Sequence, residues 1–152
     1  MRDDLVVLEN LKKYFAVKAG FFSLKEVTIK AVDDINLTIR RGETLGLVGE
    51  SGCGKSTMGK LILKLEEPTE GRIFFDGEDI TACSKERMRE LRRELQIIFQ
   101  DPYSSLNPRK TVRKIVEEPL IIHGIGDRKE RKERVKELLR VVGLRQEYMN
   151  RY

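Results

Sequence analysis

The residues from Glu43 to Thr57 constrain the fold more than any other stretch of the chain. An apolar run, Leu45-Gly46-Leu47-Val48, leaves the turn at Arg41-Gly42 and reads as a short buried strand. It breaks into Gly49-Glu50-Ser51-Gly52-Cys53-Gly54-Lys55-Ser56-Thr57 before a helical pattern begins. Glycines at 49, 52 and 54 permit backbone angles closed to other residues and remove side chains that would hold an anion off the backbone. Successive N–H groups from about Gly52 to Thr57 can then point inward as a nest, and the start of the following helix adds partial positive charge. The spelling G-x-x-x-x-G-K-S in a strand, loop, helix setting is that of a phosphate-binding loop. In such a loop Lys55 bridges the β- and γ-phosphates of a nucleotide and the Ser56 hydroxyl holds Mg²⁺. A Gly-rich turn without a ligand is the bland alternative, and the full eight-position match weighs against it.

The 152 residues suffice for one ordinary domain with a core and are few for an enzyme that must build a complete nucleotide site. The net charge of +5 invites nucleic acid, an anionic membrane or a phosphorylated ligand as partner. The basic residues, however, interleave with Glu along 128–140, as on a solvated helix face. Cys53 lies inside the loop, Cys83 stands far from it and His123 is the single histidine, so no metal-ligand role falls to these side chains. No apolar run approaches the ~20 residues that span a bilayer. Met1-Arg2-Asp3-Asp4 is too acidic a start for a secretory signal. The expectation is a soluble, cytoplasmic chain able to dock on a membrane protein.

Ahead of the loop the pattern is β-rich. Leu5 to Leu8 predicts a strand, followed by Asn10 to Phe15 with the aromatic pair Tyr14-Phe15. Residues 16–26, with Phe21-Phe22, read as a loop or hairpin excursion. Two half-buried strands, Val27 to Ala31 and Ile35 to Ile39, flank a break at Asp33-Asp34. Behind the loop, Met58, Leu61, Ile62 and Leu65 share one helical face that should pack on the sheet, and Pro68 stops the pattern.

Gly71 to Ile80 predicts a strand with Asp76-Gly77 as its turn, and Ser84 caps a helix over Lys85 to Leu95. Leu95 to Phe99 is a short apolar run that ends at Gln100. Asp101 to Pro108 is turn chemistry, which places Gln100 where a strand empties into a loop. Thr111 caps a helix carrying Val112, Ile115 and Val116 that Pro119 would end or kink. The last helix has the capping pair Asp127 and Glu130, the stripe Val135, Leu138, Leu139 and Val142, and Gly143 as its stop.

Three segments together resemble the ATP-binding subunits of ABC transporters, in particular the oligopeptide/dipeptide importer branch. They are Gly49 to Thr57 as G-E-S-G-C-G-K-S-T, Gly71 to Ile80 as G-R-I-F-F-D-G-E-D-I, and Ile97 to Pro108 as I-I-F-Q-D-P-Y-S-S-L-N-P. The resemblance runs through nearly the whole chain. It implies an α/β fold, a P-loop NTPase core with an N-terminal antiparallel β subdomain over 1–102 and the start of a helical subdomain over 103–152, incomplete. It implies ATP and Mg²⁺ as ligands. An aromatic upstream of the loop stacks on adenine in that family; Phe15 is the positional match, with Tyr14 beside it as the alternative. Gln100 matches the family's sensor glutamine, whose amide ligates Mg²⁺ or orients water, while the following segment contacts a transmembrane subunit.

The implied partners are transmembrane permease subunits, a second ATP-binding subunit in a homo- or heterodimer and, indirectly, a substrate-binding protein, with no nucleic acid. The implied location is the inner face of the cell membrane. The family's L-S-G-G-Q-like signature, its strand ending Asp-Glu and its switch histidine do not occur in this sequence; His123 and Glu117-Glu118 stand in the wrong contexts. The expectation is therefore an N-terminal portion of a larger subunit that binds nucleotide weakly by itself and hydrolyses it negligibly, and whose uncovered apolar faces favour a partner. The rival readings are an ABC ATPase acting on nucleic acid or the ribosome and a small-molecule P-loop kinase.

Overall fold

The computed structural model describes residues 3–18, 26–101 and 103–152. Phe21, Phe22 and Pro102 lie outside them, and with them most of the expected excursion over 16–26. The chain divides into two compact units, Met1–Gln96 and Ile97–Tyr152.

The first unit is built on an antiparallel sheet of order β2-β1-β3-β4. Its strands are β1 (Asp4–Lys18), β2 (Glu26–Arg40), β3 (Glu70–Phe75) and β4 (Glu78–Asp79). β1 is central because its apolar positions can be covered from both neighbours: Leu8 stands opposite Leu37 on β2 and Ile73 on β3. The break expected at Asp33-Asp34 does not end a strand. β2 runs through it as one element, and the mismatch is absorbed by a register irregularity where Asp34 takes a φ of 56°. A bulge adds one residue without breaking the ladder, so polar residues in mid-strand are a poor sign of its end. The Asp76-Gly77 turn closes β3 on β4 with both residues at positive φ, 49° and 80°, the pairing a two-residue hairpin favours.

Helix α1 (Lys55–Ile62) follows the glycine-rich loop. Leu61 is fully buried, and Met58 and Ile62 pack against the core of Val6, Leu8, Leu11, Val32, Ile73 and Phe75. The stripe was expected to run on to Leu65, but the helix stops at Ile62. Leu63 caps it and Lys64 turns left-handed at φ 51°, leaving Leu65 40% exposed. Helix α2 (Lys85–Leu91) begins at Ser84, whose hydroxyl accepts from Arg87 N at 3.1 Å. It ends four residues short of the expected Leu95.

Two expected strands are absent. Leu45 to Val48 and Leu95 to Phe99 have no strand conformation. Leu45, Leu47 and Val48 are 41, 47 and 93% exposed, and Ile98 is 91% exposed. The buried-strand reading of Leu45 to Val48 and the placing of Gln100 at a strand end are thus corrected. An apolar run becomes a strand only where a neighbour takes its N–H and C=O groups, and among the described residues neither run has a ladder partner.

The second unit holds α3 (Val112–Ile122), α4 (Arg128–Val141) and a 3-10 turn over Gln146–Asn150. Thr111 caps α3, which continues past Pro119 to Ile122 rather than ending there. Asp127 and Glu130 form the expected reciprocal capping box on α4. Val135 and Leu139 are buried with Met149 of the 3-10 turn, while Val142 is 68% exposed and leaves the stripe. Gly143, at φ 75°, ends the helix.

Candidate functional site

The loop from Gly49 to Gly54 connects a segment with no regular secondary structure to the first turn of α1. Gly52 and Gly54 take φ values of 84° and 96°, which L side chains rarely adopt. At Gly54 a second constraint acts: an added Cβ would lie 2.1 Å from the carbonyl oxygen of Ala31 and 3.9 Å from Val32 Cγ2. Ala31 is the extra residue of a bulge, because Lys13 stands opposite Val32 and Tyr14 opposite Lys30. The bulge of β2 is thus pressed against the end of the loop, and only a glycine fits between them.

Gly54 is the N-cap of α1 and supplies no side-chain cap, and the first turn carries no acidic residue. Among the described residues, nothing accepts from the N–H groups of Gly54, Lys55, Ser56 or Thr57. Lys55 adds a cation to these donors. Its Nζ donates to the carbonyl oxygens of Gly49 and Glu50, each at 2.6 Å, and lies 3.3 Å from Cys53 Sγ. Glu50, Ser51, Cys53 and Ser56 are exposed, and Lys55 and Thr57 half-buried. A helix start with free N–H groups, an ammonium and two hydroxyls is a donor set for a polyphosphate. It is a poor set for a bare metal ion: among the described residues no three His, Cys, Asp or Glu side chains converge.

The two candidate aromatics are separated by strand parity. Side chains alternate along a strand, so Lys13 and Phe15 share one face of β1 and Tyr14 takes the other. Val32, opposite Lys13, turns its Cγ2 toward Gly54, which makes the Lys13 and Phe15 face the one nearer the loop. Tyr14 is engaged elsewhere: its hydroxyl donates to Asp33 Oδ1, and Lys30 Nζ sits 5.2 Å from its ring centroid and 3.0 Å from Asp33 Oδ2. The Asp33 bond holds the Tyr14 phenol above its ordinary pKa and the same bond holds the Asp33 carboxyl below its own. Sequence reasoning did not single out Ala31, Val32 or Lys13. A basic residue two positions before an aromatic on a strand was the available signal for Lys13.

Gln100 belongs to the second unit, exposed on a bend between Phe99 and Asp101. Asp101 organises the turn after it, its Oδ1 accepting from Tyr103 N at 3.1 Å. No helix among the described residues is long and apolar enough to cross a membrane.

Known proteins are similar to this chain in sequence and in fold. The oligopeptide transport ATP-binding protein AppF of Bacillus subtilis is 47% identical over 152 residues, which cover 99% of this chain and 46% of that protein. The dipeptide transport ATP-binding protein DppF of Escherichia coli is 41% identical, with 100% of this chain and 45% of that protein covered. The chain therefore spans less than half the length of either relative. Among solved structures, the ATP-binding cassette MJ0796, a dimer in a post-hydrolysis state bound to ADP and phosphate, matches with a TM-score of 0.76 at 30% identity, over 97% of this chain and 61% of that one. The sequence model of the family described as ABC transporter matches residues 32–152, and the chain belongs to the ABC transporter family.

Proposed function

We propose that this chain is the nucleotide-binding portion of an ABC importer subunit, which couples binding and hydrolysis of ATP to uptake of oligopeptides or dipeptides. The relatives named for oligopeptide and dipeptide transport support the substrate class, and the cassette bound to ADP and phosphate supports the ligand. The observation that carries the reading is the cluster of unused N–H groups from Gly54 to Thr57 beside the Lys55 ammonium.

In this reading residues Gly49 to Thr57 wrap the phosphates, and Lys55 leaves its two carbonyl partners for the β- and γ-phosphate oxygens. That exchange replaces neutral acceptors by charged ones, which strengthens each hydrogen bond. Mg²⁺, when bound, neutralises charge developing on the phosphoryl group. Ser56 would offer it an exposed hydroxyl beside the phosphate oxygens. Phe15 takes the adenine-stacking role rather than Tyr14, because it shares the loop-side face and its ring has no hydroxyl tied to another residue. Gln100 supplies the sensor amide, and the helices of the second unit meet a permease subunit at the inner face of the membrane. A second ATP-binding subunit completes the catalytic arrangement.

Lys55→Ala tests the reading. Calorimetric titration of Mg-ATP into the protein that carries this chain should show affinity about ten- to a hundredfold weaker, the size of one charge-assisted hydrogen bond. Unchanged affinity refutes the assignment of Lys55.

A further inference from the structure

Lys13 belongs to no motif, yet it makes three contacts that join the segment following the loop-bearing helix to the candidate base-stacking ring. Its Nζ donates to the carbonyl oxygen of Glu67 at 2.7 Å, pairs with Glu66 Oε2 at 3.3 Å, and lies 4.9 Å from the centroid of the Phe15 ring. Its side chain is only 14% exposed, so these contacts are shielded from solvent more than an ordinary surface pair. Glu66 and Glu67 lie in the segment that leaves α1 for β3. The same segment is fixed to β1 by two more bonds: Thr69 N donates to Lys12 O at 2.8 Å, and Tyr14 N donates to Thr69 Oγ1 at 2.9 Å.

We propose that Lys13 is a positioning residue for nucleobase recognition: anchored on the segment behind α1, its ammonium covers one face of Phe15 and fixes the ring so that the opposite face is presented to the base. Two physical effects act together. The cation draws the ring's π density toward itself, which makes the uncovered face less repulsive to the electron-rich face of a purine. The contact also holds the ring in one rotamer, so less side-chain freedom is lost when a base stacks on it. Because the anchor is the segment that follows α1, the ring is referred to the same helix whose first turn receives the phosphates. Base and phosphate subsites are thereby kept in register. The proposal rests on the reading of Phe15 as the stacking ring.

The test separates base from phosphate binding. ATP and inorganic tripolyphosphate are titrated calorimetrically into the protein that carries this chain and into its variants. Lys13→Met, which keeps the apolar stem and removes the charge, should weaken ATP about two- to fivefold, the size of one cation–π contact, and leave tripolyphosphate unchanged. Lys13→Arg, which keeps a cation, should recover most of the loss. If Lys13→Met fails to fold, Glu66→Gln, which removes one anchor of the ammonium, should show the same selective loss at about twofold. Equal weakening of both ligands, or of neither, overturns the role of Lys13. A wild-type protein that binds tripolyphosphate as tightly as ATP overturns the stacking role of Phe15 itself, whereas a base-dependent gain untouched by the variants overturns the Lys13 proposal alone.

Discussion

Leu8 of β1 and Leu47 of the run before the phosphate loop look alike in sequence: each sits in a four-residue, largely apolar stretch, Leu5 to Leu8 and Leu45 to Val48. In the structure Leu8 is 1% exposed and paired on both sides, whereas Leu47 is 47% exposed and Val48 beside it 93%. The difference is one of partners. β1 finds β2 and β3 within the chain and closes a core with α1 over it, while the run at 45–48 has no described strand to take its backbone groups. Apolar pattern marks a segment that can be a strand; a neighbour makes it one.

The contrast is broken most severely at the paired side. Ile73 stands opposite Leu8, fully buried. Ile73→Ala should cost about 2–5 kcal/mol, the range for truncating a large aliphatic side chain in a packed core. Urea unfolding followed by circular dichroism would measure it. A loss below about 1 kcal/mol would mean that the sheet core is no better packed than the exposed runs.

Local chemistry was legible in the sequence and non-local chemistry was not. Ser84, Thr111 and Asp127 each cap the helix expected of them, because a cap depends on a backbone N–H two or three residues away. The Asp76-Gly77 hairpin and the left-handed glycines Gly52 and Gly54 were readable for the same reason, whereas Gly49 does not take the positive φ expected of it. Helix ends were overshot at Leu65 and Leu95, where apolar periodicity continued after the backbone had turned. At the candidate site, which face of β1 turns toward the loop depended on the β2 register through the Ala31 bulge, and the contacts of Lys13 needed Glu66 and Glu67 brought beside β1. Neither placement is written in the neighbouring residues.

A smaller effect sharpens the same division within the second unit. Asp127 Oδ1 accepts from Lys129 N at 2.7 Å and Glu130 N at 2.8 Å, while Asp127 N donates in return to Glu130 Oε2 at 2.7 Å. This box needs no distant partner. Asp127→Ala should therefore cost about 1 kcal/mol, and Asp127→Asn, which keeps the acceptor, markedly less. Thermal melts of the two variants separate the outcomes: equal destabilisation would show that charge rather than the cap holds the start of α4.

The smallest change is expected where the sequence suggested strands and the structure has none. Val48 and Ile98 are 93 and 91% exposed, so neither side chain loses appreciable apolar contact when it is made polar. Val48→Ser and Ile98→Ser should each shift the unfolding free energy of this 152-residue chain by no more than about 0.5 kcal/mol. Ile73→Ala serves as the reference in the same denaturant series. If Val48→Ser were to cost as much as Ile73→Ala, the run at 45–48 would already be packed in solution, and the distinction between paired and unpaired apolar segments would fall. If it costs nothing, the run at 45–48 contributes no apolar packing, and the loop it leads into is held by α1 and by the contact of the Ala31 bulge with Gly54.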